Sequence, residues 1–115
     1  MDQYHEPFDK LSKGTKDITR AIRSLCEEFE AVDWYNQRMD LTDDEELYNI
    51  LKHNRDEELE HAAMALEWLR RKLPQLDQEL RETLFKDGPI AGHHGHDHEE
   101  GQGPRGRSLN IGKLK

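Results

Sequence analysis

The run Arg55-Asp-Glu-Glu-Leu-Glu-His61 contains a Glu-x-x-His motif, Glu58 and His61. Three residues apart on a helix, two side chains share a face and sit one turn from each other. A carboxylate and an imidazole so placed can hold a hard-to-borderline metal ion from the same side. Helical bundles that hold two metal ions draw one Glu from each of two helices and a Glu-x-x-His from each of two others. This chain has one such motif on a convincing helix, so it carries half of a site of that kind.

Working outward, the motif lies in a helix expected over residues 43–72. Its stripe is Leu47, Leu51, Asn54, Glu58, His61, Ala62, Ala65 and Leu69, recurring at three- and four-residue steps. Thr42 with Glu45 reads as a capping box at its start. Acidic residues 43–46 favour the positive end of the helix dipole, and Arg70, Arg71 and Lys72 favour the negative end. Pro74 then stops the helix.

A first helix is expected over residues 10–39, with Ile18, Ala21, Ile22, Leu25, Phe29, Val32 and Tyr35 as its stripe. Residues 1–8 read as irregular. The connection between the two helices is about three residues long, which forces an antiparallel hairpin. A short third helix is expected over 75–86, with Leu76, Leu80, Leu84 and Phe85 apolar and Gly88-Pro89 ending it.

From residue 91 the composition changes to Gly, His, Asp and Glu, and 91–107 reads as a flexible linker. It contains His93, His94, His96 and His98, a tract of the kind that chelates transition metals weakly. Apolar character returns in 108–115, where Leu109, Ile111 and Leu114 suggest a docking peptide. The expected organisation is a helical domain over 1–90, a linker over 91–107 and a peptide over 108–115.

The composition supports this reading. Of 115 residues, 33% are hydrophobic and 37% charged. A folded part below about 100 residues buries too little surface to be robust alone, so oligomerisation is expected. Two hairpins can close a four-helix bundle, which makes a homodimer the smallest expected unit. The net charge of −8 argues against nucleic acid and anionic membranes and suits cations. Cys26 is the single cysteine, so no intrachain disulfide forms and a reducing cytoplasm is the simpler location. No secretory leader and no membrane-spanning run is expected.

Glu28 and Glu58 lie at matching depth from the turn, one on each arm. Glu28 falls at the edge of the first stripe, beside Leu25 and Val32. Three ionisable groups thus occupy positions that ought to be apolar. A carboxylate buried there without a partner would be forced to protonate, and a bound cation removes that cost. A Glu or His on such a stripe more often ends in a hydrogen bond; the matching depth of Glu28 is what favours metal. A two-fold axis would double two Glu and one His into four and two. Glu27, Glu30, Glu57 and Glu60 face outward as solvated charges that could also attract cations. Trp34 and Tyr35 read as packing residues, with hydrogen bonding to a ligand as the other role for Tyr35.

Cys26-Glu-Glu-Phe-Glu-Ala-Val-Asp-Trp-Tyr-Asn-Gln-Arg38 and the run from His53 to Arg70 closely resemble the encapsulated ferritins. The likeness extends from His5-Glu-Pro7 to Leu84-Phe85, and Leu109-Asn-Ile-Gly-Lys-Leu114 looks like an encapsulin cargo-loading peptide. The resemblance implies a ferritin-like hairpin that dimerises into a four-helix bundle, with five dimers in a ring-shaped decamer. It implies a di-iron ferroxidase centre at the dimer interface on Glu28, Glu58 and His61, with Tyr35 and Trp34 close by. Metal would enter past Glu27 and Glu30, where calcium is a further candidate ion. Fe(II) would be oxidised with O2 and the ferric product mineralised inside an encapsulin nanocompartment. The histidine tract is not part of the family pattern.

Two other readings compete. One is a metal-binding cargo or iron carrier that does not turn over. The other is a helical module that only docks through 108–115.

Overall fold

The computed structural model describes residues 3–92, which form an all-helical protein with no strand among them. Lys13–Leu41 is helix α1, Glu45–Lys72 helix α2 and Pro74–Thr83 helix α3, preceded by a short 3-10 turn at Phe8–Lys10. No described helix is long and apolar enough to cross a membrane.

Each boundary has a local cause. The Ser12 hydroxyl accepts the Thr15 N–H at 3.1 Å and starts α1. The preceding turn is tied to it through Phe8, which meets Tyr4 edge-to-face at 5.0 Å and carries Lys16 Nζ 4.1 Å above its ring. At the start of α2 the expected capping box does not form. Asp44 is the cap: its Oδ1 accepts the Leu47 N–H at 2.9 Å, which makes Glu45 the first helical residue. Thr42 accepts the Asp44 N–H at 3.2 Å, a turn ahead of the cap. An ionised carboxylate at the positive end of a helix outcompetes a hydroxyl.

Pro74 plays two parts. It ends α2, holding Leu73 in an extended conformation at ψ 97°, and it opens α3, where its missing N–H costs nothing. Helix α3 stops at Thr83, three residues before the expected end. Phe85 turns into the left-handed region at φ 59°, so the break precedes Gly88-Pro89.

The chain divides after Asp77. In the first unit, α1 and α2 pack as an antiparallel hairpin across a three-residue loop. Ile18, Ala21, Leu25, Glu28, Val32, Tyr35 and Met39 are half-buried or buried on α1, at strictly alternating three- and four-residue steps. Leu51, Arg55, Glu58, Ala62, Ala65 and Leu69 do the same on α2. That alternation is the spacing of a coiled-coil seam. Glu28 therefore sits within the seam rather than at the stripe's edge.

The seam is narrow. Met39, Leu51, Ala62 and Leu69 are its buried apolar residues. Ile22 and Phe29, expected inside, lie on a flank and stay 43% and 51% exposed, as do Leu47 and Leu59 at 44% and 41%. Arg70 clamps the end of α2 through Glu67 at 2.7 and 2.8 Å and through an ion pair to Asp77. The second unit contains the rest of α3 and the turn that follows it.

Candidate metal centre

Helix α1 contributes Glu28 and helix α2 contributes Glu58 and His61. One ligand atom from each lies within 4.8 Å of the others. His61 Nδ1 stands 3.5 Å from Glu28 Oε1 and 3.4 Å from Glu58 Oε1. The seam sinks the two carboxylates to 24% and 26% exposure, while His61, on the flank, remains 47% exposed. The site is therefore open on the imidazole side and walled by helix on the other.

A hydrogen bond to Glu58 raises the Glu28 carboxyl above its ordinary range, and burial and the Glu58 charge add to this; His61 opposes it. Two carboxyls at this distance resist ionising together. A cation between them would relieve that resistance, and hard oxygen donors with one imidazole suit Fe(II), Mn(II) and Zn(II). The donor set thus fits a metal of the kind inferred from the sequence.

The other candidate residues are more dispersed. Tyr35 is half-buried in the seam two turns along α1 from Glu28, with the Arg38 guanidinium 5.3 Å from its ring centre. Glu27 and Glu30 are exposed on α1 and do not belong to the three-residue group, and Trp34 is 52% exposed. Leu109, Ile111, Leu114 and the histidine tract lie outside the described residues.

One arrangement beside the site was not anticipated. Arg55 lies in the seam one turn before Glu58, and its Nη1 donates to Asn36 Oδ1 across the hairpin at 2.9 Å. Its Nε and Nη2 both donate to Asp56 Oδ1, at 3.2 and 3.1 Å. The sequence held the signal: alternating steps of four and three from Leu51 reach Arg55, next to Asn54 of the expected stripe, which is half-buried as well.

A two-helix hairpin with a carboxylate–carboxylate–imidazole cluster across its seam is a ferritin-like half-bundle. The chain belongs to the EncFtn-like family, whose model matches residues 3–87. It is 58% identical over 89 residues to a ferritin-like protein of Thermotoga maritima, covering 77% of this chain and 78% of the relative. It is 57% identical over 86 residues to an encapsulated ferritin-like protein of Rhodospirillum rubrum, covering 75% of this chain and 61% of the relative. An encapsulin nanocompartment cargo protein of Myxococcus xanthus is 34% identical over 91 residues, covering 78% of this chain and 70% of that protein. The crystal structure of protein ne0167 from Nitrosomonas europaea superposes with a TM-score of 0.76 at 59% identity, covering 78% of this chain and 99% of that one.

Proposed function

We propose that the chain is a ferroxidase: it oxidises Fe(II) to Fe(III) with O2 at a two-iron site built across a homodimer interface. The carrying observation is the convergence of Glu28, Glu58 and His61 from two helices onto one point of the seam. The open side of that point is where a second copy would add the same three residues. Iron is the substrate, and each Fe(II) supplies one electron to dioxygen. The chain does the rest. Glu28 and Glu58 bind as hard anions, which favour the higher charge of Fe(III). His61 holds its place through the turn it shares with Glu58. Tyr35, two turns along α1 from Glu28, is assigned the further role of hydrogen-bonding a bound ligand. Glu27 and Glu30 gather Fe(II) at the surface, where calcium could compete.

The names of two relatives, an encapsulated ferritin-like protein and an encapsulin cargo protein, support an encapsulin shell as the place of work. In this reading residues 1–90 are the catalytic domain, 91–107 the linker, and 108–115 the peptide that docks to the shell through Leu109, Ile111 and Leu114. Dimers assemble further into a ring, and ferric iron is stored in the shell.

The test is Glu58→Ala combined with His61→Ala, assayed for Fe(II) oxidation in air. Loss of two ligands lowers the rate by about 100-fold or more; a rate matching the wild type would end the reading. Docking is tested separately. Deleting 108–115 abolishes co-purification with the shell protein and leaves the oxidation rate intact.

A further inference from the structure

We infer that Asn36 and Asp56 tether Arg55 away from the metal centre, and so act as positioning residues that keep Glu58 available to a cation. The inference rests on reading Glu28, Glu58 and His61 as a cation site.

Arg55 and Glu58 are three residues apart on α2, a spacing at which arginine and glutamate ordinarily pair. The guanidinium is permanently charged and has five N–H donors. Both side chains are sunk into the seam, at 24% and 26% exposure, so a pair between them would be only partly screened. Such a pair would place a fixed positive charge against a carboxylate that a metal ion needs.

The structure directs Arg55 elsewhere. Asn36 takes Nη1 across the hairpin at 2.9 Å, and Asp56 takes Nε and Nη2 at 3.2 and 3.1 Å. Asp56 is itself held by Lys52 Nζ at 3.2 Å through its other oxygen. Glu58 Oε1 instead faces His61 Nδ1 at 3.4 Å, in the same cluster as Glu28. Asn36 is neutral, so its hold on Arg55 adds no charge to the site. Asp56 offsets the guanidinium while fixing where it points.

The experiment is a Co(II) titration of the full chain, read by the ligand-field absorption of bound Co(II), with helicity checked by circular dichroism. Asp56→Asn and Asn36→Ala are each made in the wild type and in an Arg55→Gln background. Each is expected to weaken Co(II) binding about two- to five-fold when Arg55 is present, the range of a partly exposed ion pair. Neither has an effect when Arg55 is absent, because the coupling runs through that side chain. Equal weakening in both backgrounds would mean that the substitutions act without Arg55, and no weakening in the wild type would mean that there is no tether; either overturns the inference. Where Asp56→Asn does not fold, Asn36→Ala carries the test. Glu58→Gln reports on the site itself. It is expected to remove the Co(II) band, and an unchanged band would overturn the metal-site reading directly.

Discussion

Glu28 and Glu58 face each other across the hairpin, and the neighbouring Glu58 carboxyl with burial holds Glu28 above its ordinary range, which has a consequence without any metal. Glu28 ionises less readily in the folded chain than in the unfolded one. Its contribution to stability is therefore complete below the unfolded value and is lost as pH rises through the folded one. Metal-free protein should lose stability as pH rises above the ordinary 4.5 of glutamate. Glu28→Gln should remove that part of the slope and also shrink the stabilisation that a divalent cation gives. Urea midpoints against pH, with and without Mn(II), measure both, and a variant that keeps the wild-type slope would contradict the account. The pairing of Glu58 with His61 was legible in the sequence because three-residue spacing is local. Glu28 could be placed by its depth from the turn, but its central position needed the register of the seam. Arg55 was missed for the same reason: its neighbour Asn54 fits a loose stripe equally well, and an arginine is expected to face water.

At the scale of the elements, the hairpin was legible because its helices are long, strongly periodic and joined by a short loop. Their ends were less so, because several polar residues near each end can cap. Asp44 and Thr42 illustrate this. Asp44→Ala should cost about 1 kcal/mol, as an N-cap does, and Thr42→Ala about 0.5 kcal/mol, as a single exposed hydrogen bond does. Chemical denaturation gives the order, and a larger loss at Thr42 would restore the capping box. The far end of α2 is held by charge. Hydrogen bonds from Arg70 and then Arg71 pull the Glu67 carboxyl down to about 2. Its stabilising effect is therefore present above the unfolded value near 4.5 and is lost as pH falls towards 2. Glu67→Gln should leave stability at the acid end unchanged and lower it above the unfolded value near 4.5, so that the acid limb flattens by the amount lost at neutral pH; that amount is small, since exposed ion pairs are worth little. The early stop of α3 had no such signal: nothing in the sequence around Phe85 announces a left-handed residue.

For the whole molecule, the central question is whether one chain is enough. Among the described residues Met39, Leu51, Ala62 and Leu69 are the buried apolar ones, while Ile22, Phe29, Leu47, Ile50, Leu59 and Met64 remain exposed at 41% to 58%. A monomeric hairpin would leave this surface in water, and among the described residues each hairpin brings two carboxylates and one imidazole to this point, too few to enclose two metal ions. If a second copy both covers the apolar flanks and completes the ligand set, stability and activity are linked to the same association. Mass action then makes a quantitative prediction. Fe(II) oxidation per chain should be constant while the protein is dimeric or larger and should fall with dilution in step with the fraction of associated chains measured by sedimentation. Circular dichroism should show helix lost over the same range, because the hairpin without its partner has a thin core. Adding Fe(II) or Mn(II) should move both transitions to lower protein concentration, because a metal that bridges two chains favours their association. If the rate per chain stays constant far below the concentration at which sedimentation shows monomers, one hairpin is sufficient and the ligand set must be completed within a single chain.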